Sequence, residues 1–308
     1  MAWKHFENPE LKIESKVPTP AKPRFGLTSD ILGFRRCARQ YGFFGPRGYV
    51  PAHTVQLFYG SIIHEVLDRA HHHYKGLYDL STKGKLPTDS DIDDYFKEVE
   101  LVLRSRGIRS VNQDLKDNAL KVLKRFNRIE GPSLYSRVID TEHRVQGDRE
   151  SYIVEGVIDL LVDSKTGSSA PDRVEIWDYK GTKRPPLISE DMQTYTYQML
   201  VYAALYKLRN GCYPGSAVLY FLNELNSDSL TATPPNAQVR IDLVDGEVQR
   251  ALREFDSTAS DIIDCKARNE WEAPSTSKMP DKETCDACDI RWSCPSFLKV
   301  RSSKARFS

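Results

Sequence analysis

The sequence predicts a mixed α/β fold in which a helical region precedes a sheet-containing core. Three observations carry that expectation. Apolar spacing is helical up to about residue 130, alternates like strands from about 134 to 179, and then reads helix, strand, strand, helix to about 268. The 308 residues suffice for one large or two modest domains with a sizeable core. Apolar residues at 40% and charged residues at 28% match a globular chain rather than a disordered one.

Residues 1–27 are assigned to an N-terminal arm, because the first 24 are polar and carry Pro9, Pro18, Pro20 and Pro23. Thr28-Ser29-Asp30 is a helix N-terminal signal leading into Ile31, Leu32, Phe34 and Cys37. Gly42, Gly45-Pro46 and Gly48 punctuate a loop. Ile62, Ile63, Val66, Leu67 and Ala70 then line the apolar side of a helix from about Gly60 to Tyr74. Asp91 to Arg106 and Val111 to Ile129 are amphipathic helices charged on one side, as expected of a solvated helical insertion over about 88–130.

From Tyr135 the period shortens. Residues 135–139, 152–162 and 174–179 read as strands, separated by Gly147 and by the turn-rich stretch 164–172. Glu190 to Arg209 is a helix carrying Met192, Tyr195, Met199, Tyr202 and Tyr206. Residues 217–222 and 238–243 are two more strands, and Glu247 to Arg268 is a helix. One domain is expected from 28 to 298, followed by a tail, 299–308.

Charge narrows the function classes. Forty-four Lys+Arg against 43 Asp+Glu exclude a basic DNA-coating protein and an acidic disordered chain. A nucleic-acid enzyme stays compatible, because acidic helices can offset a basic groove. No run reaches the length of a membrane span, and MAWKHFENPE lacks the apolar block of a signal peptide. The expected location is the cytoplasm, with no membrane partner. There the six cysteines are metal ligands or core residues rather than disulfides. The run His71-His72-His73 is read as solvated helix face, since consecutive helical side chains diverge.

The most informative stretch is Glu155-Gly156-Val157-Ile158-Asp159 followed by Glu175-Ile176-Trp177-Asp178-Tyr179-Lys180. Residues two apart on a strand share a face, so Asp178 and Lys180 point together, opposite Trp177 and Tyr179. A carboxylate beside an ammonium suits metal-dependent phosphodiester hydrolysis. The carboxylate holds a hard cation, and the lysine orients water and offsets developing charge. Asp159 supplies a second carboxylate from a neighbouring strand. The bare spacing recurs at Asp114/Lys116, Asp163/Lys165 and Asp264/Lys266, but only Asp178 ends an apolar strand with Gly-x-x-Asp one hairpin upstream. His64 stands near the start of a helix within reach of a metal. Gln198 and Tyr202 lie one helical turn apart, a spacing that Gln193 and Tyr197 share.

Cys285-Asp-Ala-Cys288-x5-Cys294 places three thiolates where they can close on one centre. A fourth ligand must come from elsewhere: Cys37 is the natural candidate, with Cys212 and Cys265 as alternatives. Four thiolates suit either tetrahedral zinc or a [4Fe–4S] cluster, and spacing does not choose between them.

In this order, His64, Gly156/Asp159, Asp178/Lys180 and Gln198/Tyr202 resemble the RecB-like branch of the PD-(D/E)xK nuclease superfamily. Ile158 stands where the superfamily's namesake proline would be, a departure common in that branch. Gln198 is preferred to Gln193 because Tyr202-Ala-Ala-Leu-Tyr continues as the family helix does. One cysteine before the core and C-x2-C-x5-C after it is similar to the iron–sulfur staple of AddB-type and Cas4-type nucleases. Ala38 replaces a proline often found after the first cysteine.

The resemblance spans about 28–298 and implies a restriction-endonuclease-like core, a mixed sheet flanked by helices. It also implies a [4Fe–4S] cluster on Cys37, Cys285, Cys288 and Cys294, tying the N- and C-terminal segments together. His64, Asp159, Asp178 and the Tyr179 backbone carbonyl would bind Mg²⁺ or Mn²⁺. Lys180 would position the water, with Gln198 and Tyr202 in support. The implied activity is DNA exonucleolysis at single-stranded or frayed ends, giving 5′-phosphates, in repair, recombination, or phage or CRISPR-type processing.

Arg35, Arg36, Arg39, Lys183 and Arg184 are candidate contacts to the DNA backbone. No GxxxxGK[ST] motif is present, so coupling to a helicase or to a recombination or adaptation complex requires a partner. The rival expectation is a non-catalytic iron–sulfur subunit that binds DNA ends or scaffolds such a complex.

Overall fold

A computed structural model describes residues 22–48, 55–110, 112–164, 170–227 and 229–305. The chain begins there as β1 (Arg24–Gly26), followed by a π-helical turn (Leu27–Leu32), α1 (Gly33–Arg36) and α2 (Ala38–Phe44). Residues 1–21 of the expected arm lie outside the described residues. The rest of it is not arm: Arg24–Gly26 pairs in parallel with Ile153–Glu155, and Phe25 and Leu27 are buried. Thr28-Ser29-Asp30 falls inside the turn. Asp30 accepts hydrogen bonds there from the Gly26 amide at 2.7 Å and the Tyr41 hydroxyl at 2.8 Å.

Four helices come next: α3 (Val55–Lys75), α4 (Asp89–Ser105), α5 (Gln113–Ile129) and the single turn α6 (Gly131–Leu134). Thr88 and Asp91 form a capping box at the start of α4, and the Asn112 side chain caps α5 through the Leu115 amide. Then follow β2 (Val138–Asp148), β3 (Ile153–Asp163), β4 (Val174–Lys180), α7 (Glu190–Asn210), β5 (Ser216–Phe221), β6 (Gln238–Ile241), α8 (Asp245–Arg268), α9 (Lys282–Asp286) and α10 (Pro295–Ala305). No helix among the described residues is long and apolar enough to cross a membrane.

β3 organises the sheet. β2 runs antiparallel along it from Asp148↔Ile153 to Val138↔Val162. Its other edge is shared: β1 takes residues 153–155, β4 takes 160–163, and 156–159 pair with neither. β5 adds to β4 in parallel and β6 to β5 antiparallel, which completes a mixed sheet.

Period-two alternation splits the apolar residues into two layers. Ile176, Ala217, Leu219 and Phe221 pack with Met199, Val201, Leu205 and Phe255 of α7 and α8. Trp177, Tyr179, Val218 and Tyr220 pack with Phe58, Ile62 and Phe126 of α3 and α5. Across 88–130 the amphipathic helices α4 and α5 bury Ile92, Phe96, Val99, Leu103, Val122 and Leu123 in the second layer. The histidine run, read as solvated, is not, since His71 and His73 are buried. His71 lies four residues after Leu67, on the apolar face, and its Nε2 is 3.1 Å from the Tyr179 hydroxyl.

β2 continues through Gly147, which the sequence marked as a separator. A Cβ on Gly147 would lie 2.8 Å from Leu208 Cδ1, and one on Gly156 would lie 2.6 Å from Tyr202 Cε1. These two positions let α7 lie close on β2 and β3. Gly156→Ala should therefore push Tyr202 aside and cost about 1–3 kcal/mol of overpacking. The measurement is a urea titration, with a lower midpoint at unchanged slope.

Candidate active site

Asp178 and Lys180 share the α7 face of β4, and Asp178 is only 3% exposed. One amide organises both. Gln198 Nε2 donates to Asp178 Oδ1 at 2.9 Å, and Lys180 Nζ donates to Gln198 Oε1 at 2.8 Å. Gln198 Nε2 also donates to the Tyr202 hydroxyl at 3.1 Å. Lys180 Nζ lies 4.5 Å above the Tyr195 ring centroid. The second Asp178 oxygen, Oδ2, is 2.6 Å from Lys180 Nζ but out of hydrogen-bond alignment with it, and no other donor reaches it.

Asp159 occupies the stretch of β3 left open between β1 and β4. Its Oδ2 accepts the Tyr179 amide hydrogen at 2.6 Å and lies 3.4 Å from His64 Nδ1 of α3. Ligand atoms of His64, Asp159 and a residue the sequence did not indicate, Glu142 of β2, lie within 4.8 Å of one another. All of these residues line one cleft of about 1390 Å³. Tyr179 also lines it, while its ring packs on the opposite face against Phe126.

The charges divide unequally. Burial and the neighbouring Asp159 carboxylate push Asp178 up to about 6, against the opposing Lys180 ammonium. Burial would raise Asp159 as well, but His64 and the Tyr179 amide hold it below the usual carboxylate range. Burial would lower the His64 imidazole, yet Asp159 outweighs it and lifts it to about 9. Burial in the cleft and Asp159 push Glu142 up to about 7. Carboxylates and an imidazole gathered in one cleft fit a hard divalent cation.

The competing pair separates. Gln193 is exposed and bonds the Ile188 carbonyl, while Tyr197 packs beneath Arg35, 4.4 Å from its ring centroid. Arg35 also pairs with Glu254, and Arg39 donates to the Ser293 carbonyl at 3.1 Å. Arg36 and Lys183 are exposed, and the Arg184 amide bonds Glu224. Among the described residues, none of these five lines the cleft; its basic residues are Arg24, Arg144, Lys180 and Arg209. The arginines among them stand singly at distant points of the sequence, so no cluster marked them.

Cys37, Cys285, Cys288 and Cys294 border a second cavity, of about 30 Å³. Burial, then the neighbouring thiols Cys37, Cys288 and Cys294, raise Cys285 to about 11. Cys37 Sγ also accepts from the Gln40 amide at the start of α2. Cys265 packs against the first apolar layer, and neither it nor Cys212 borders this cavity.

Residues 28–295 match the model of the PD-(D/E)XK nuclease superfamily, so the chain belongs to that superfamily of hydrolytic nucleases. Two crystal structures are similar at 13% identity. A protein from Eubacterium rectale, provisionally described as an exonuclease, gives a TM-score of 0.49 over 85% of this chain and 86% of its own. A protein designated SSO0001 gives 0.28 over 84% and 94%. The family assignment rests on the family match alone. No curated protein matches this chain.

The direction of the Asp178 shift has a measurable consequence. Its folded value of about 6 lies above the ordinary 3.8, so ionisation costs more in the folded state. The stability it contributes at acid pH is lost as pH rises from about 4 to 6. Metal-free Asp178→Asn should therefore be more stable than wild type at pH 7.5, by on the order of 1–3 kcal/mol. The difference should vanish near pH 4, which thermal unfolding in chelator across that range would read.

Proposed function

We propose that this protein is a Mg²⁺- or Mn²⁺-dependent DNA exonuclease acting on single-stranded or frayed ends. The observation that carries this reading is the Gln198 amide holding Asp178 and Lys180 together beside His64 and Asp159. His64, Asp159, Asp178 and the Tyr179 carbonyl would hold the cation. When bound, it supplies Lewis-acid charge at the phosphate and lowers the pKa of a water.

Lys180, fixed by Gln198 and stacked over Tyr195, donates to the attacking water and fixes its line of approach. Attack on phosphorus breaks the P–O3′ bond and leaves the phosphate on the 5′ side of the product. Tyr202 braces Gln198, and Arg24, Arg144 and Arg209 offer phosphate contacts along the cleft. A binding-only scaffold would have no use for this alignment of lysine, amide and carboxylate. Duplex ends would be opened by a helicase-type partner, in the cytoplasm.

We assign Cys37, Cys285, Cys288 and Cys294 to a [4Fe–4S] cluster. Support comes from the cavity that the four cysteines share.

The test is purification without oxygen and an assay on end-labelled single-stranded DNA with Mn²⁺. Asp178→Ala and Lys180→Ala should each lower the rate by at least about 10²-fold. Rates equal to wild type would refute the active-site reading. The protein should be brown and lose its colour in Cys288→Ser; a colourless zinc protein would refute the cluster.

A further inference from the structure

Glu142 interrupts β2 with φ 48°, a left-handed conformation that a residue bearing a Cβ adopts at a cost. The ladder pairs on either side of it are Thr141↔Leu160 and His143↔Ile158, so Glu142 stands opposite Asp159. Its side chain lies in the cleft, with a carboxylate oxygen within 4.8 Å of ligand atoms of both Asp159 and His64. Among the described residues no lysine or arginine pairs with it, and its carboxylate makes no hydrogen bond. The fold therefore accepts an uncommon backbone conformation and brings two carboxylates together, with His64 as the one nearby group of opposite charge.

A second observation points into the same space. Asp178, 3% exposed, also lines that cleft, and its Oδ2 has the Lys180 ammonium at 2.6 Å but no aligned hydrogen bond. Asp159 on β3, Asp178 on β4 and Glu142 on β2 thus present oxygens to the cleft from three strands, with His64 reaching in from α3.

We propose that Glu142 is a direct ligand of the divalent cation, a third carboxylate beside Asp159 and Asp178. This rests on the reading of the site as a divalent-cation centre. Coordination accounts for a carboxylate held opposite Asp159 and near His64. It also accounts for the like charges, which a dication turns from repulsive to attractive.

The experiment is Mn²⁺ binding to the full chain without DNA, read by the resonance of the free ion, with thermal unfolding in chelator as a second readout. Glu142→Gln should weaken Mn²⁺ by at least about tenfold, the lower end of what even outer partners of a ligand set cost. Its metal-free midpoint should equal or exceed that of wild type, because one like charge is removed. A lowered metal-free midpoint would make Glu142 structural and overturn the proposal, as would unchanged Mn²⁺ affinity. Asp159→Asn separates the two levels. If it loses Mn²⁺ while Glu142→Gln does not, only the Glu142 assignment fails; if neither loses it, the cation centre fails as well.

Discussion

Two strands share one edge of β3, and the site depends on the space they leave. β1 ends its pairing at Glu155 and β4 begins at Leu160, so residues 156–159 have no strand beside them there. Backbone polar groups at such an interruption need other partners. One solution is Asp159, whose carboxylate takes the Tyr179 amide and so fixes its own position. Gly156, in the same interval, lets Tyr202 lie against the strand. A cleft carboxylate and the floor beneath Tyr202 thus come from one short break in pairing.

The second constraint is the low solvent exposure of Asp178 beside Lys180. A buried ion pair repays its desolvation only with good geometry and further hydrogen bonds. Gln198 supplies these, accepting from the lysine and donating to the aspartate. It holds the two groups in fixed relation, with the second carboxylate oxygen 2.6 Å from the lysine. Tyr202 and Tyr195, on the same helix, fix the amide and the ammonium from behind. The helix can do this because Gly147 and Gly156 allow it close to the sheet.

Much of this was legible in the sequence. Strand alternation placed Asp178 and Lys180 on one face, and helical spacing placed Gln198 with Tyr202. The mixed sheet followed from the change of period. What was missed depends on pairing or packing between distant segments. Glu142 enters the site through a left-handed residue inside a strand, which no periodicity encodes. Arg24, Arg144 and Arg209 converge from two strands and a helix, whereas Arg35 and Arg39, adjacent in sequence, are engaged by Glu254 and Ser293. The polar run at His71 hid its place on the buried side of α3. β1, three residues long, was too short for any pattern.

The segment after α8 returns to where the described chain begins. Trp271 meets Phe34 and Tyr41 edge-on, and Arg47 donates to the Asn269 carbonyl. Only the π-helical turn separates α1, which carries Phe34, from β1. The seam is part of the first apolar layer, which also holds Phe25 of β1, so loosening it would loosen the strand that bounds the open interval of β3. The seam therefore also steadies one wall of the cleft, to which Arg24 and Gly26 of β1 contribute. Partial opening of this kind would disable the site while leaving most of the molecule folded.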